Sequence, residues 1–330
     1  MKDYLVDIPI RINIWTRPRC QERQFEIIKK VRPSIIFIQS DGGRNADEWE
    51  AIYLNRKLID EGIDWNCRVY KFYEDKNNGM YTMEKKVLDA IWKTVDRCVF
   101  LEDDHIPAVS FFQYCAELLE KYKDDNRIEM ICGNNVLGIN DDVKKADYFF
   151  TERGWSIWGI ATWRNRALQN DCFPLPYSND AYTKKCLSTG LNLFWRKKAL
   201  GYCDGKYMDG HVPGSEYQHA VNSVLYHRVS IVPTRNMICN IGDIGEHVNG
   251  SRRNSRFFNQ PVYEVAFPIR HPEYVIDDKC FGERYSKFLH QDDGTLIIRG
   301  VRFLRRSLFY FVGDFLKGNK KKKGNVILEK

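Results

Sequence analysis

Over its first 132 residues the chain alternates short apolar runs with amphipathic stretches of helical length, and few folds accommodate that rhythm. Apolar runs at 8–15, 34–40, 66–72, 98–101 and 128–132 predict strands. Three- and four-residue apolar spacing predicts helices over 20–31, 47–61, 81–95 and 109–123. Strands separated by helices of this length build a largely parallel sheet covered on both faces, so the expected fold class is α/β. A ligand on such a sheet sits at the carboxyl ends of the strands, which makes the loops after the strands the places to search for chemistry.

Past about residue 145 the rhythm gives way to aromatic-rich segments at 154–163, a basic stretch at 193–200 and a helix at 215–226, material suited to an acceptor pocket. Region 251–290 has no clear period, and Pro261, Pro268 and Pro272 interrupt it. With 43% hydrophobic residues in 330, the chain has enough apolar material for a sizeable core and too much for a disordered polymer. Ten cysteines without any C-x-x-C pair read as reduced core residues rather than a zinc or redox site. The first residues lack a signal-peptide core, and no uncharged apolar run approaches the roughly 20 residues of a membrane span. A cytoplasmic location is expected.

The net charge of +7 suggests a nucleic-acid partner until it is located. Residues 299–323 hold nine basic side chains against one acid, so the remainder of the chain is close to neutral. In the same region Val301, Leu304, Leu308, Phe311, Val312 and Phe315 recur at helical spacing beside Arg299, Arg302, Arg305 and Arg306, ahead of Lys320 to Lys323. That pattern predicts a basic amphipathic helix, either lying on an anionic membrane surface or docked on the catalytic domain. Nucleic-acid binding is not expected of a folded region this close to neutrality.

The sharpest local signal is V-F-L-E-D-D-H, in which a strand ends in three consecutive acids, Glu102, Asp103 and Asp104. Adjacent carboxylates repel one another. They are either a solvated turn before a helix or the ligands of a hard divalent cation, Mg²⁺ or Mn²⁺, which would neutralise them and bridge to a diphosphate. A second acid, Asp41, follows another strand in F-I-Q-S-D-G-G, placed either to shape a turn or to meet a nucleotide. Arg17 after the first strand, and Lys85 on the third helix, are cations available to phosphates.

Read together and in order, I-P-I-R-I-N-I-W-T-R, R-P-S-I-I-F-I-Q-S-D-G and V-F-L-E-D-D-H-I-P-A-V-S-F-F-Q-Y resemble GT-A glycosyltransferases of the N-acetylglucosaminyltransferase I type and related bacterial family 2-like polysaccharide glycosyltransferases. The later G-W-S-I-W-G-I-A-T-W-R resembles a block of the bacterial members, and N-I-G-D-I-G-E-H resembles their last donor-side loop. The resemblance implies a GT-A fold, with a catalytic domain over 1–250 whose donor half is 1–145 and acceptor half 146–250. A C-terminal extension over 251–330 would carry the basic helix. It implies inverting transfer of a sugar from a nucleotide-diphosphate donor, with UDP as the nucleotide, assisted by Mn²⁺ or Mg²⁺.

Residue by residue, the resemblance places Asp41 at the uracil, and Thr16, Arg17 and Lys85 at the ribose and phosphates. Asp104 falls at the metal, supported by Glu102 and Asp103, although E-D-D stands where the family pattern is a strict D-x-D. Gly245 and His247 fall on the loop that closes over the donor, with His247 in reach of metal or diphosphate. An inverting transfer needs a general base at the acceptor hydroxyl. Glu216 in S-E-Y-Q-H is the first choice and Asp209 in Y-M-D-G-H the second. Trp155, Trp158 and Trp163 are spaced for packing and most of them read as core, with Trp155 and Trp158 the candidates for one that stacks on an acceptor sugar.

The partners implied are a nucleotide sugar, a glycan or lipid-linked glycan acceptor in bacterial surface polysaccharide synthesis, and the inner face of the plasma membrane through the tail. Homo-oligomerisation stays open, as do the sugar, the acceptor and the linkage. The competing readings are a non-catalytic glycan- or membrane-binding protein of the same shape and a sugar nucleotidyltransferase. The second is weakened because I-W-T-R-P-R-C lacks the glycine-rich, lysine-bearing phosphate loop.

Overall fold

Alternating isoleucines at the N-terminus bury one face of a strand and start the sheet. The computed structural model describes residues 1–169, 179–191, 193–205, 215–242 and 255–290. In chain order the first elements are β1 (Val6–Asn13), α1 (Pro18–Val31), β2 (Pro33–Ser40), α2 (Ala46–Gly62), β3 (Arg68–Tyr73), α3 (Met80–Thr94) and β4 (Arg97–Leu101). After them come β5 (His105–Pro107), α4 (Ser110–Lys121), β6 (Ile128–Cys132), β7 (Tyr148–Thr151), β8 (Ile160–Trp163) and α5 (Arg164–Ala167). The last are α6 (Ala181–Gly190), α7 (Leu193–Cys203), α8 (Ser215–Leu225), β9 (Val229–Pro233), β10 (Ile238–Asn240) and α9 (Lys279–His290).

The large sheet has the order β3-β2-β1-β4-β8-β6-β9-β7. The pairs β1 with β2, β1 with β4, β2 with β3 and β6 with β9 are parallel, whereas β8 and β7 run antiparallel to their neighbours. The molecule is therefore α/β with a mostly parallel central sheet. Ile8, Ile10, Ile12, Ile36 and Ile38 face one way and pack with Phe25 and Ile28 of α1 and with Phe111, Phe112, Cys115 and Leu118 of α4. Ile35 and Phe37 face the other way, against Val87 and Ile91 of α3. The two-residue period of the strands and the three-to-four-residue period of the helices meet on both faces, as a doubly covered sheet requires.

The helices of the first half lie within two residues or so of their expected positions. Local pattern did not show that β8, inside the aromatic-rich 154–163 segment, is inserted between β4 and β6. A short antiparallel pair, β5 with β10, sits off the main sheet and matches Asn240 with His105.

The chain divides after Ser286, and the sheet and the site belong to the first unit, Met1–Ser286. None of the described helices is long and apolar enough to cross a membrane. Nine of the cysteines fall among the described residues and all are free thiols. Five of them are buried, as expected of core residues, while Cys186 and Cys280 are exposed. The basic segment 299–323, Asp209, Gly245 and His247 lie outside the described residues.

Candidate active site

The strands β1, β2, β3 and β4 are parallel neighbours, so their carboxyl ends and the loops that leave them gather at one edge. The acidic turn leaves β4 there. Asp103 and Asp104 converge on one nitrogen: Arg17 Nη1, from the turn between β1 and α1, donates to Asp103 Oδ1 at 2.9 Å and to Asp104 Oδ2 at 2.8 Å. Thr16, half-buried, precedes Arg17 in that turn. Burial pushes the Asp103 carboxyl up to about 7; Arg17 opposes the shift, and the charges of Asp104 and Glu102 add to it.

Glu102 is turned away from this pair. It accepts from Arg11 Nη1 at 3.1 Å and from Asn13 Nδ2, both on β1. Arg11 also reaches Glu84 of α3, Nη2 to Oε1 at 3.4 Å, and its guanidinium lies over the Phe100 ring, 5.4 Å from the centroid. Arg11 is 2% exposed. A buried guanidinium is tolerable only with such compensation, and here it acts as the common counter-charge of two carboxylates. Burial pushes the Glu84 carboxyl above its ordinary range; Arg11 opposes the shift, and Glu102 and Glu216 reinforce it. Glu216 thus faces Glu84 electrostatically, from the first turn of α8.

His105 completes the turn. Its Nδ1 accepts from the Glu102 backbone N–H at 3.1 Å, which leaves the ring proton on Nε2, 3.6 Å from Asp104 Oδ1. Burial holds its pKa below the ordinary histidine value against the pull of Asp104 and Glu102, so the ring is neutral. Gln24 of α1 donates to the backbone carbonyls of Glu102 and His105 at 2.6 and 2.7 Å. The pairing of β5 with β10 brings Ile241 to the turn, where its N–H donates to Asp104 O at 3.0 Å. A Cβ on Gly242 would overlap the Asp104 carboxylate, so only glycine lets the backbone pass this close.

Asp41, after β2, spends its carboxylate on backbone: it accepts from Gly42 and Gly79 at 2.9 Å each and from Asn78 at 2.9 and 3.2 Å. It thereby joins the loop after β2 to the start of α3. A Cβ on Gly42 would meet the Lys76 backbone, which shows how closely the two loops approach. Arg56 of α2 clamps the same loops. It donates to Ser40 Oγ at 2.9 Å, Ser40 O at 3.1 Å and Glu74 O at 2.8 Å, beneath the Tyr73 ring 4.7 Å away. Lys85 points to solvent and pairs with Asp89 at 3.6 Å.

The tryptophans divide. Trp158 lies with its ring 6.4 Å from that of His105 and 5.7 Å from Phe258, next to the acidic turn. Trp155 donates to Glu152 O at 2.9 Å and lines a separate cavity of about 510 Å³ with Leu187, Val224 and His227. Trp163 is 4% exposed and donates to Leu119 O at 3.0 Å, a core position.

The structure therefore brings together Arg17, Asp103, Asp104 and Glu102, places Asp41 in the neighbouring loop, puts Glu216 where its charge is felt at Glu84, and sets Lys85 and Trp155 apart. Arg11, Glu84, His105 and Arg56 were not singled out in the sequence. Two signals were available there: an arginine inside an otherwise apolar strand, and a histidine closing the acidic motif. Among the described residues, no group of three or more His, Cys, Asp and Glu side chains is spaced to hold a metal ion by itself.

No protein-family model and no curated protein matches this chain. Among solved structures, a cytidylyltransferase from Leptospira borgpetersenii serovar Hardjo-bovis (strain JB197) is similar at 14% identity, over 68% of this chain and 95% of that one, with a TM-score of 0.28. The galactosyltransferase LgtC, solved with donor and acceptor sugar analogues, is similar at 8% identity, over 89% of this chain and 99% of that one, with a TM-score of 0.30. Likenesses this distant leave the functional reading to rest on the site.

Proposed function

We propose that this chain is an inverting, metal-dependent GT-A glycosyltransferase that moves a sugar from a nucleotide-diphosphate donor, with UDP as the nucleotide, to a glycan acceptor on a lipid carrier. The observation that carries this reading is the acidic turn at the carboxyl end of β4. There four carboxylates, from Glu84, Glu102, Asp103 and Asp104, have two guanidiniums, Arg11 and Arg17, as their arginine partners. Such a cluster of carboxylates at a strand end, whose burial and mutual repulsion raise the pKa of Asp103 and Glu84, suits a site that takes up a cation together with an anionic diphosphate.

The donor set fits a hard divalent ion. One oxygen of Asp103 and one of Asp104 already converge on a single point, and oxygen is the ligand type that Mg²⁺ and Mn²⁺ favour. Asp104, with Asp103 beside it, would hold the ion, and donor oxygens and water would complete its shell. Bound there, it supplies charge neutralisation for the departing diphosphate. Glu102 orients the turn through Arg11 and Asn13. Asp41 and Arg56 hold the loops that would border the base and ribose. Glu216 accepts the proton of the acceptor hydroxyl as the hydroxyl oxygen attacks the anomeric carbon, and the bond from that carbon to the diphosphate oxygen breaks, so that the nucleoside diphosphate leaves with the electron pair.

A panel of nucleotide sugars tested with Mn²⁺ for donor hydrolysis and thermal stabilisation tests the class. A cognate donor at a hundred times its Kd should stabilise the fold by about 2.7 kcal/mol. Asp104→Ala is expected to lose the Mn²⁺-dependent part of donor binding while the fold persists, because the carboxylate meets Arg17 and His105 at the end of the strand and is no member of the apolar core. Unchanged Mn²⁺-dependent UDP-sugar affinity in that variant would remove Asp104 from the metal site.

The basic tail is proposed to hold the enzyme on the anionic inner leaflet. Deletion of residues 300–330 should release it from phosphatidylserine-containing vesicles in flotation assays and spare transfer to a soluble acceptor analogue. Raising salt should weaken vesicle binding of the full chain, since screening shortens the reach of surface charge to about 8 Å at physiological ionic strength. Vesicle binding that survives the deletion would move the contact to the folded domain.

A further inference from the structure

Arg17 occupies a point within bonding distance of both Asp103 and Asp104. A single nitrogen, Nη1, serves both carboxylates at 2.9 and 2.8 Å, and the side chain is 27% exposed. Asp104 Oδ2, which accepts from Arg17, is also the oxygen that a side chain at position 242 would strike, so the backbone of Gly242 closes another approach to it. A cation that bridges Asp103 and Asp104 through these oxygens must take the place of the guanidinium.

Without any cation two adjacent buried carboxylates repel each other, and Arg17 relieves that repulsion. Displaced by a metal ion alone, Arg17 would give up two charge-assisted hydrogen bonds for water. Displaced while a diphosphate is bound, it has a new anionic partner, because a guanidinium matches phosphate oxygens as well as it matches carboxylates.

Resting on the metal and diphosphate chemistry proposed above, we propose that Arg17 is an exchangeable counter-ion. It holds Asp103 and Asp104 in the empty enzyme, yields their shared point to the divalent ion, and turns to the donor diphosphate. The consequence is coupling: metal and donor each bind better when the other is present, and by thermodynamic necessity the two factors are equal.

The test measures Mn²⁺ binding by the loss of the free aquo-ion EPR signal, with and without UDP, and UDP binding by calorimetry with and without Mn²⁺. The wild-type chain should bind Mn²⁺ weakly alone and tighten by a factor within roughly 5–150 when UDP is added, with the same factor for UDP when Mn²⁺ is added. Arg17→Met should bind Mn²⁺ alone at least several-fold more tightly than wild type and lose most of the coupling. Arg17→Lys keeps the charge but offers a single-point donor, and should also tighten Mn²⁺ binding in the absence of UDP. Removal of positive charge in general would not explain that result, and Arg23→Met, on the exposed side of α1, should leave Mn²⁺ binding unchanged.

Mn²⁺ affinity without UDP that stays the same or falls in both Arg17 variants overturns the proposal, as does a wild-type coupling factor of one. Should Arg17→Met not fold, the Lys variant and the wild-type coupling decide. Asp104→Asn separates the two readings. If it binds Mn²⁺ with UDP as well as wild type does, the metal assignment itself fails. If it loses that binding while the Arg17 variants leave the affinity unmoved, only the counter-ion role falls.

Discussion

Glu216→Gln is expected to lower transfer about 10²- to 10⁴-fold while leaving donor affinity within a fewfold of wild type. Glu216 stands in the first turn of α8, half-buried, where its charge is felt by Glu84 and Tyr81 of α3. An amide keeps the volume and most of the hydrogen-bonding capacity of the carboxylate but cannot take a proton from an acceptor hydroxyl. The loss should therefore appear in kcat and in kcat/KM together, the mark of an interaction made in the transition state. Steady-state transfer assays, with donor binding followed by thermal shift, check both halves. Transfer that survives within a fewfold would pass the base role to Asp209, the second carboxylate indicated by sequence.

The largest effect on stability is expected from Glu129→Gln, at about 3–5 kcal/mol. Glu129 lies on β6 and is fully buried. Its Oε1 meets His219 Nδ1 at 2.9 Å and Asn222 Nδ2 at 3.1 Å, and its Oε2 accepts from Arg228 Nη1 at 2.8 Å. The substitution leaves the Arg228 charge buried, 2% exposed, without its carboxylate. Burial opposes ionisation of Glu129, but His219 and Arg228 outweigh it and hold its carboxyl below the usual range. A depressed folded-state pKa contributes stability above the unfolded value, about 4.3, that is lost as pH falls through the folded value. Urea unfolding from pH 7 downward should show this acid loss in the wild type and a reduced slope in the variant. A cost under about 1 kcal/mol at pH 7 would mean that the network contributes little. Because two of its partners lie on α8, the same network also fixes the helix that presents Glu216.

Apart from the three-residue β5, the elements from β1 to α4 were legible because each writes its own period. Phe25, Ile28 and Val31 mark one face of α1, and Ile8, Ile10 and Ile12 mark one face of β1. The acidic turn was legible for the same local reason: an apolar strand that stops at three acids names both the strand end and the chemistry. The insertion of β8 between β4 and β6 was not legible. Its four residues, I-A-T-W, carry too short a pattern to separate a strand from an aromatic loop, and its place depends on partners about thirty and sixty residues upstream.

What the sequence by itself determined is the alternation of strand and helix, the doubly covered sheet that follows from it, and the placing of Asp41, Glu102, Asp103 and Asp104 after strands. The tertiary structure decided which of these carboxylates share a cation and which do not. Arg17 meets Asp104 across 87 residues of chain, Arg11 meets Glu102 across 91 and Glu84 across 73. It also committed Asp41 to the backbone of Asn78 and Gly79 and turned Lys85 to solvent, although both resemble ligand-facing residues in sequence. The physical reason is range. Hydrophobic period is a property of neighbours and can be read along the chain, whereas the balance of buried charge is set by side chains that only the parallel register of β1, β2 and β4 brings within a few ångströms of one another.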